Sequence, residues 1–182
     1  MKELSLNILD ITENSVKAGA TLTEITLDET VDTLRITVKD NGCGMSEEML
    51  NSVTDPFCTT RTTRKVGLGI PLFKMAAEQT GGGITLTSKP DDGTGTDHGT
   101  EISALFYKNH IDFTPLGDVI ATVTTLIQGH PDQDFLYIHK KEPCEVRLDT
   151  RELRAELDGV PLSTYEVLLW IEEYLKEQYE NF

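Results

Sequence analysis

The 182-residue chain is poor in cysteine, in aromatic side chains and in positive charge. Its three cysteines, Cys43, Cys58 and Cys144, are odd in number and show no C-x-x-C spacing. That argues against a disulfide framework and a zinc site, and the thiols are expected to be reduced. Lys and Arg total 16 against 31 Asp and Glu, for a formal net charge of −15. Overall charge therefore favours neither nucleic acid nor an anionic membrane as partner, although a local basic cluster can still hold phosphates. No apolar run approaches the roughly 20 residues of a membrane span, and Met1-Lys-Glu-Leu-Ser5 lacks an apolar signal core, so a cytoplasmic location is expected. No G-x-x-x-x-G-K-[ST] motif is present, which removes a P-loop. The length suits one buried domain, or one domain with a small appendage.

What is there begins with a helix over 2–19. Leu4, Ile8 and Ile11 recur at helical spacing, and Leu6, Leu9 and Val16 widen the apolar face. At about 100° per residue, Asn7, Asp10, Asn14 and Lys17 fall in one narrow polar stripe. Such a stripe can be a solvated strip of a surface helix, but so wide an apolar arc places it more naturally along a cleft.

Two alternating segments, Thr23–Glu29 and Leu34–Lys39, predict an antiparallel hairpin. Leu34, Ile36 and Val38 share one face, and the period of two aims Asp40 the same way, toward the covered side. A buried carboxylate needs donors, from the protein or from a ligand, and an adenine amino group would suit. Asp40-Asn-Gly42 can also be an ordinary turn between strands. Ser46 with Glu47 and Glu48 is instead a helix start, so Gly42 and Gly44 join a strand to a short helix over 46–54.

After Asp55-Pro56-Phe57 the composition changes. Thr59, Thr60, Arg61, Thr62, Thr63, Arg64 and Lys65 gather hydroxyls and cations suited to phosphate oxygens, unless they are merely a solvated loop. They lead into Gly67-Leu68-Gly69-Ile70-Pro71, where glycines admit an anion to backbone amides at a helix start. A dinucleotide fingerprint fails here, because Leu72 stands where its third glycine belongs and no strand directly precedes. The helix stops at Gly81-Gly82-Gly83, and strands Ile84–Ser88 and Thr100–Phe106 extend the sheet around a Gly/Asp-rich loop.

In this order the segments resemble the boxes of the ATPase superfamily shared by gyrase, Hsp90, histidine kinases and mismatch-repair proteins. Asp10–Thr21 looks like its N box, with Glu13-Asn-Ser-Val-Lys-Ala-Gly-Ala-Thr21 similar to the mismatch-repair version. Asp40-Asn-Gly42-Cys-Gly44 resembles the G1 box, Asp55-Pro56-Phe57 with Thr59-Thr60 the F box, Val66-Gly67-Leu68-Gly69-Ile70 the G2 box, and Gly99-Thr100 the closing glycine-threonine step. The resemblance covers about 1–107 and implies an α+β Bergerat fold: a two-layer sandwich of a mixed, mostly antiparallel sheet covered by helices. It implies ATP or ADP with Mg²⁺ as cofactors. Asn14 would coordinate Mg²⁺, Lys17 would bind phosphate, and Asp40 would accept the adenine amino proton, with Gly42 and Gly44 making room. Thr59, Thr60, Arg61, Lys65, Gly67, Leu68, Gly69 and Thr100 would complete the nucleotide site, the basic and hydroxyl residues as a mobile lid.

Asp10 departs from the pattern, because hydrolysing relatives carry Glu four residues before the N-box asparagine. Asp10 is a candidate general base on a shorter side chain, so hydrolysis, phosphoryl transfer and simple binding all stay open. Only nine residues precede Asp10, and His98, His110, His130 and His139 all follow the boxes as surface or packing residues. A histidine autokinase is thus not expected, and the nearest resemblance is to small cytoplasmic anti-sigma-factor serine kinases acting on a protein partner. The alternative is a non-catalytic module whose ATP or ADP state a partner reads. A homodimer is compatible with either, and Cys43 and Cys58 near the site leave redox sensitivity open.

Residues 108–182 resemble no known family and predict an αββαα extension. A helix starts at Thr114-Pro115 and carries Leu116, Val119, Ile120, Val123, Leu126 and Ile127. Strands Phe135–His139 and Cys144–Leu148 follow. Asp149 caps a helix ended by Gly159, and Ser163 with Glu166 forms a capping box for the last helix. An extension folded back on the ATPase core is the simpler expectation, and a partner or dimer surface the sharper one.

Overall fold

A computed structural model describes residues 3–53, 68–95 and 97–182. Its elements in chain order are α1 (Leu4–Lys17), β1 (Leu22–Glu29), β2 (Thr33–Asp40), α2 (Glu47–Val53), α3 (Gly69–Gln79), β3 (Gly83–Lys89), β4 (Gly99–Tyr107), α4 (Val119–Gly129), β5 (Asp134–Lys141), β6 (Cys144–Asp149), α5 (Thr150–Glu156) and α6 (Tyr165–Glu180).

The strands form one six-stranded sheet in the order β3-β4-β2-β1-β5-β6. Every neighbouring pair is antiparallel except β1 with β5, which run parallel. Alternation decides which face is covered. Ile25 and Leu27 of β1, Leu34, Ile36 and Val38 of β2, Ile102, Ala104 and Phe106 of β4, and Phe135 and Tyr137 of β5 are all buried. Register aligns them in cross-strand rows, such as Ile36 beside Leu27 and Ala104. The intervening residues Glu24, Arg35, Lys39 and Glu101 lie on the opposite, more open face. Helices cover the buried face: Leu4, Ile8 and Ile11 of α1, Phe73 and Ala77 of α3, Val123, Leu126 and Ile127 of α4, and Ile171 and Leu175 of α6 join the same core. This is the mixed, mostly antiparallel two-layer Bergerat sandwich.

Residues 108–182 supply β5, β6 and three helices to that same sheet and core, so the sheet runs across position 107. Their first helix starts later than the Thr114-Pro115 expectation. Helix α4 begins at Val119, with Asp118 accepting from the Ala121 amide at 2.8 Å. The stretch before it is needed elsewhere. The carbonyls of Pro115 and Leu116 accept from the amides of Leu4 and Ser5 at 2.9 and 2.8 Å, satisfying the N-terminus of α1, where Glu3 gives no side-chain cap. The predicted Ser163–Glu166 capping box does not form either. Thr164 takes the N-cap position without a side-chain bond, which leaves Glu166 in the first turn, where its charge favours the helix dipole. Asp149 caps α5 as expected, accepting from the Arg151 amide at 3.0 Å.

The far end of the β1–β2 hairpin holds a polar chain. Glu29 accepts from Lys108 at 2.6 Å and pairs with His139 Nε2 at 3.1 Å; His139 Nδ1 meets Tyr179 Oη at 2.8 Å, and Tyr179 Oη meets Tyr137 Oη at 2.5 Å. Burial raises Glu29, but hydrogen bonds and charge from Lys108 and His139 outweigh it and leave its carboxyl below the ordinary value. Burial pushes Tyr179 up to about 12 and Tyr137 well above the usual phenol range, so both remain protonated. An ionised Glu29 can only accept, so His139 donates through Nε2 and accepts from Tyr179 through Nδ1. Burial, working against the pull of Glu29, holds this imidazole below its ordinary range and therefore neutral.

Candidate functional site

Register assembles the opposite end of the hairpin. Asp40 ends β2 opposite Thr23 of β1 and Thr100 of β4, and Thr100 lies opposite Ser88 of β3. The period of two points Asp40 inward, and its side chain lies at 9 % exposure beneath α1. Three donors hold it: Ser15 Oγ gives to Oδ2 at 2.7 Å, and the amides of Gly42 and Thr100 give to Oδ1 at 2.9 and 3.2 Å. A carboxylate has about four acceptor positions, so one remains, on Oδ2. The oxygen with spare capacity is fixed in place before any ligand arrives.

The turn after Asp40 is compressed against its surroundings. A side chain at Gly42 would press on Ala18 at 2.8 Å, and Gly44, at φ +65°, would drive a Cβ into the carbonyl of Lys89. Glycine is required at Gly44 both for that approach and for its backbone conformation. Gly99, at φ +126°, likewise brings its backbone against the Asp40 carbonyl. Ser88 Oγ accepts from the Met45 amide at 2.8 Å and also meets Thr100 Oγ1 at 2.9 Å, joining the turn to β3 and β4.

Helix α1 carries the polar stripe past this turn. Asp10 and Lys17 are exposed and Asn14 is half-buried. Asp10 and Asn14, four residues apart, share one helical face. The first turn of α3 lies against it: a Cβ built at Gly69 would sit 3.3 Å from Asp10 Cβ and 3.8 Å from Asn14 Nδ2. Leu68, just before that turn, is exposed. Asn7 corrects the stripe. It is 2 % exposed, and its Nδ2 has no hydrogen-bond partner among the described residues, because the apolar packing around α1 closes over this turn of the helix. Asp55-Pro56-Phe57, Cys58, Thr59, Thr60, Arg61, Lys65 and Gly67 lie outside the described residues.

The structure thus brings together Asp10, Asn14 and Gly69 in one group and Asp40, Gly42, Gly44 and Thr100 in another, with α1 running between them. Sequence reasoning missed Ser15, Ser88 and His98. His98 Nδ1 lies 2.6 Å from the Gly42 carbonyl. Ser15 was discoverable, since it follows Asn14 and sits about 100° around the helix toward the sheet. The other two depend on strand register.

Residues 2–110 match the family described as histidine kinase-, DNA gyrase B- and HSP90-like ATPase. The chain belongs to this family. Among individual relatives, Sporulation kinase A of Bacillus subtilis (strain 168) is 32% identical over 94 residues, which cover 52% of this chain and 15% of that kinase. Sensor protein SrrB of Staphylococcus aureus (strain NCTC 8325 / PS 47) is 32% identical over 99 residues, covering 52% of this chain and 17% of that protein. The chain therefore spans less than a fifth of either relative. The MutL ATPase domain of Aquifex aeolicus, solved with ADP, superposes with a TM-score of 0.54 at 15% identity over 99% of this chain and 70% of that one. The N-terminal domain of a DNA repair protein gives 0.56 at 13% identity, over 82% of this chain and 53% of that one. At these identities the structural likeness speaks for the fold, and it extends beyond residue 110.

Proposed function

We propose that the protein binds adenine nucleotide with Mg²⁺ at the α1–β2–β4 end of the sheet and uses it as a regulatory kinase or ATPase on a protein partner in the cytoplasm. The observation that carries this reading is Asp40: a buried carboxylate on three protein donors with one acceptor position left, beside a turn whose glycines are packed against Ala18 and Lys89 and so hold it in place. An adenine amino group supplies the missing donor. Placing a fixed acceptor there selects adenine over guanine, whose oxo group would set lone pair against lone pair.

A magnesium ion fits the residues present. Asn14 offers an amide oxygen on the same helical face as the exposed Asp10 carboxylate, and Mg²⁺, which keeps several waters, needs few protein oxygens. Among the described residues no group of three His, Cys, Asp or Glu side chains is gathered to hold a metal, which suits an ion shared with nucleotide phosphates. When bound, the ion would offset phosphate charge. Lys17 extends the same stripe with a cation, and the start of α3 at Leu68 and Gly69 offers backbone amides. Thr59, Thr60, Arg61, Lys65 and Gly67 are assigned to phosphate on sequence grounds. Thr100 acts through Asp40, to which it donates its amide. Asp10, exposed beside Asn14, is positioned to orient an acceptor hydroxyl or a water.

Calorimetry with Mg-ATP and Mg-ADP tests the reading. Saturable heat is expected, and no heat at millimolar nucleotide would overturn it. Incubation with ATP labelled at the γ-phosphate, with and without cell extract, then separates the chemistries. Label on a second protein identifies a kinase, and free phosphate lost in Asp10→Ala identifies an ATPase.

A further inference from the structure

His98 was expected to be a surface or packing residue, and the family's glycine-threonine step begins only after it. Its ring is half-buried at the end of the β3–β4 loop, and Nδ1 lies 2.6 Å from the carbonyl oxygen of Gly42. A carbonyl only accepts, so Nδ1 carries the proton and donates. The peptide it holds is the one joining Gly42 to Cys43. The other end of that peptide, the Cys43 amide, donates to the Ala18 carbonyl at 2.9 Å, just past the end of α1. The peptide plane is therefore pinned from opposite sides, by α1 and by His98.

Gly42 is also the residue whose amide donates to Asp40 Oδ1 at 2.9 Å. That amide belongs to the preceding Asn41–Gly42 peptide, which meets the pinned one at the Gly42 Cα, so a displacement of that Cα would move the amide and loosen one of the three bonds that fix Asp40. Two further bonds tie the same turn to this side of the sheet: Asp91 of the loop donates its amide to the Cys43 carbonyl at 2.9 Å, and Met45 donates to Ser88 Oγ at the end of β3 at 2.8 Å. Among these ties His98 is the one made by a side chain of the loop to the carbonyl of the glycine that itself holds Asp40.

We infer that His98 is a positioning residue for base recognition: by fixing the Gly42 carbonyl it sets the direction of Asp40 and hence the affinity and selectivity for an adenine nucleotide. This rests on the nucleotide reading above. The reach required is specific. Nδ1 stands one bond beyond Cγ, as the amide nitrogen of Asn does, whereas the amide nitrogen of Gln stands one bond further out.

The test compares the native protein with His98→Ala, His98→Asn and His98→Gln, using ADP and GDP in calorimetry and amide hydrogen exchange at Cys43 and Gly42 in the nucleotide-free protein. Loss of one neutral hydrogen bond predicts ADP binding roughly three- to tenfold weaker in His98→Ala, with a smaller preference for ADP over GDP. His98→Asn is expected to restore both, and His98→Gln to resemble the alanine variant. Cys43 exchange, and through the shared Cα Gly42 exchange, should accelerate in the alanine variant and return toward native in the asparagine one. Native ADP affinity and selectivity in His98→Ala would overturn the inference, as would equal weakening by Ala and Asn. If the native protein binds no ADP, the nucleotide reading fails, and the base-recognition role fails with it. Unchanged Cys43 exchange in His98→Ala would then refute the anchoring itself, independently of any ligand.

Discussion

Two carboxylates stand at opposite ends of the β1–β2 hairpin, Asp40 at the end of β2 and Glu29 at the end of β1, and their surroundings differ in one respect. Around Glu29 the charge is met by a cation: Lys108 takes one oxygen and His139 the other, and Tyr179 and Tyr137 continue the chain. Around Asp40 all three donors are neutral, no cation pairs with it among the described residues, and one acceptor position on Oδ2 stays open. A charge-paired polar network rigidifies a fold, whereas a buried carboxylate held by neutral donors gains from a further donor. The first ties the 108–182 segment to the hairpin, and the second is where we propose that the nucleotide donates.

The largest effects should divide along that line. Asp40→Asn keeps an oxygen for the Gly42 and Thr100 amides but turns an amide toward the base. It is expected to weaken adenine-nucleotide binding by about 1.5–3 kcal/mol while moving stability far less. Calorimetry and urea unfolding of the same samples check both halves. Glu29→Ala should do the reverse, costing about 1–3 kcal/mol of stability with nucleotide affinity unchanged, because it leaves His139 Nε2 without its acceptor and Lys108 with only the Thr30 carbonyl. Equal losses of affinity in the two variants would erase the distinction.

Acid should act on the Glu29 end in a definite direction. His139 is held below the ordinary imidazole value of 6.5, so below that pH the unfolded chain binds a proton that the folded one resists. Its contribution is complete above the unfolded value and is lost as pH falls through it toward the folded one. Glu29, whose folded value lies below 4.5, adds a further loss as pH falls below that point. Urea midpoints measured from neutral pH downward should therefore fall, and a His139→Gln variant should show a shallower decline in the first part of that range. Smaller again, Tyr179→Phe removes the hydroxyl linking His139 to Tyr137 and is expected to cost about 1 kcal/mol in unfolding free energy. Smallest is Ser15→Ala. It removes one donor from Asp40 Oδ2 and should cost about 0.5–1 kcal/mol of stability, with a measurable weakening of nucleotide binding that Tyr179→Phe does not share.

Legibility in sequence followed the range of the interaction. Alternation over 34–40 was enough to aim Asp40 inward, and helical spacing was enough to align Asp10 with Asn14. The start of α4 was misjudged because Thr114-Pro115 reads locally as a helix entrance, whereas the Pro115 and Leu116 carbonyls are taken by the first amides of α1, more than a hundred residues away. Asn7 was grouped with the open stripe because periodicity gives an angle around a helix and says nothing of what is packed over each turn. The histidines were equally opaque. His139 and His98 look alike as isolated letters, yet one closes a buried chain and the other faces a glycine carbonyl.

Sequence by itself determined the identity and order of the strands and helices, the inward aim of Asp40, the shared face of Asp10 and Asn14, and the glycines that let backbone approach backbone. These follow from periods of 2 and 3.6 and from the absence of a Cβ, all local properties of the chain. Only the tertiary structure decided that Thr100 lies opposite Asp40, that β5 joins β1 in parallel and carries 108–182 into the same sheet, and that Ser15 and His98 converge on the turn after β2. Those facts depend on strand register and on through-space pairing between distant segments, where a shift of one residue would reverse every side chain and leave the local pattern unchanged.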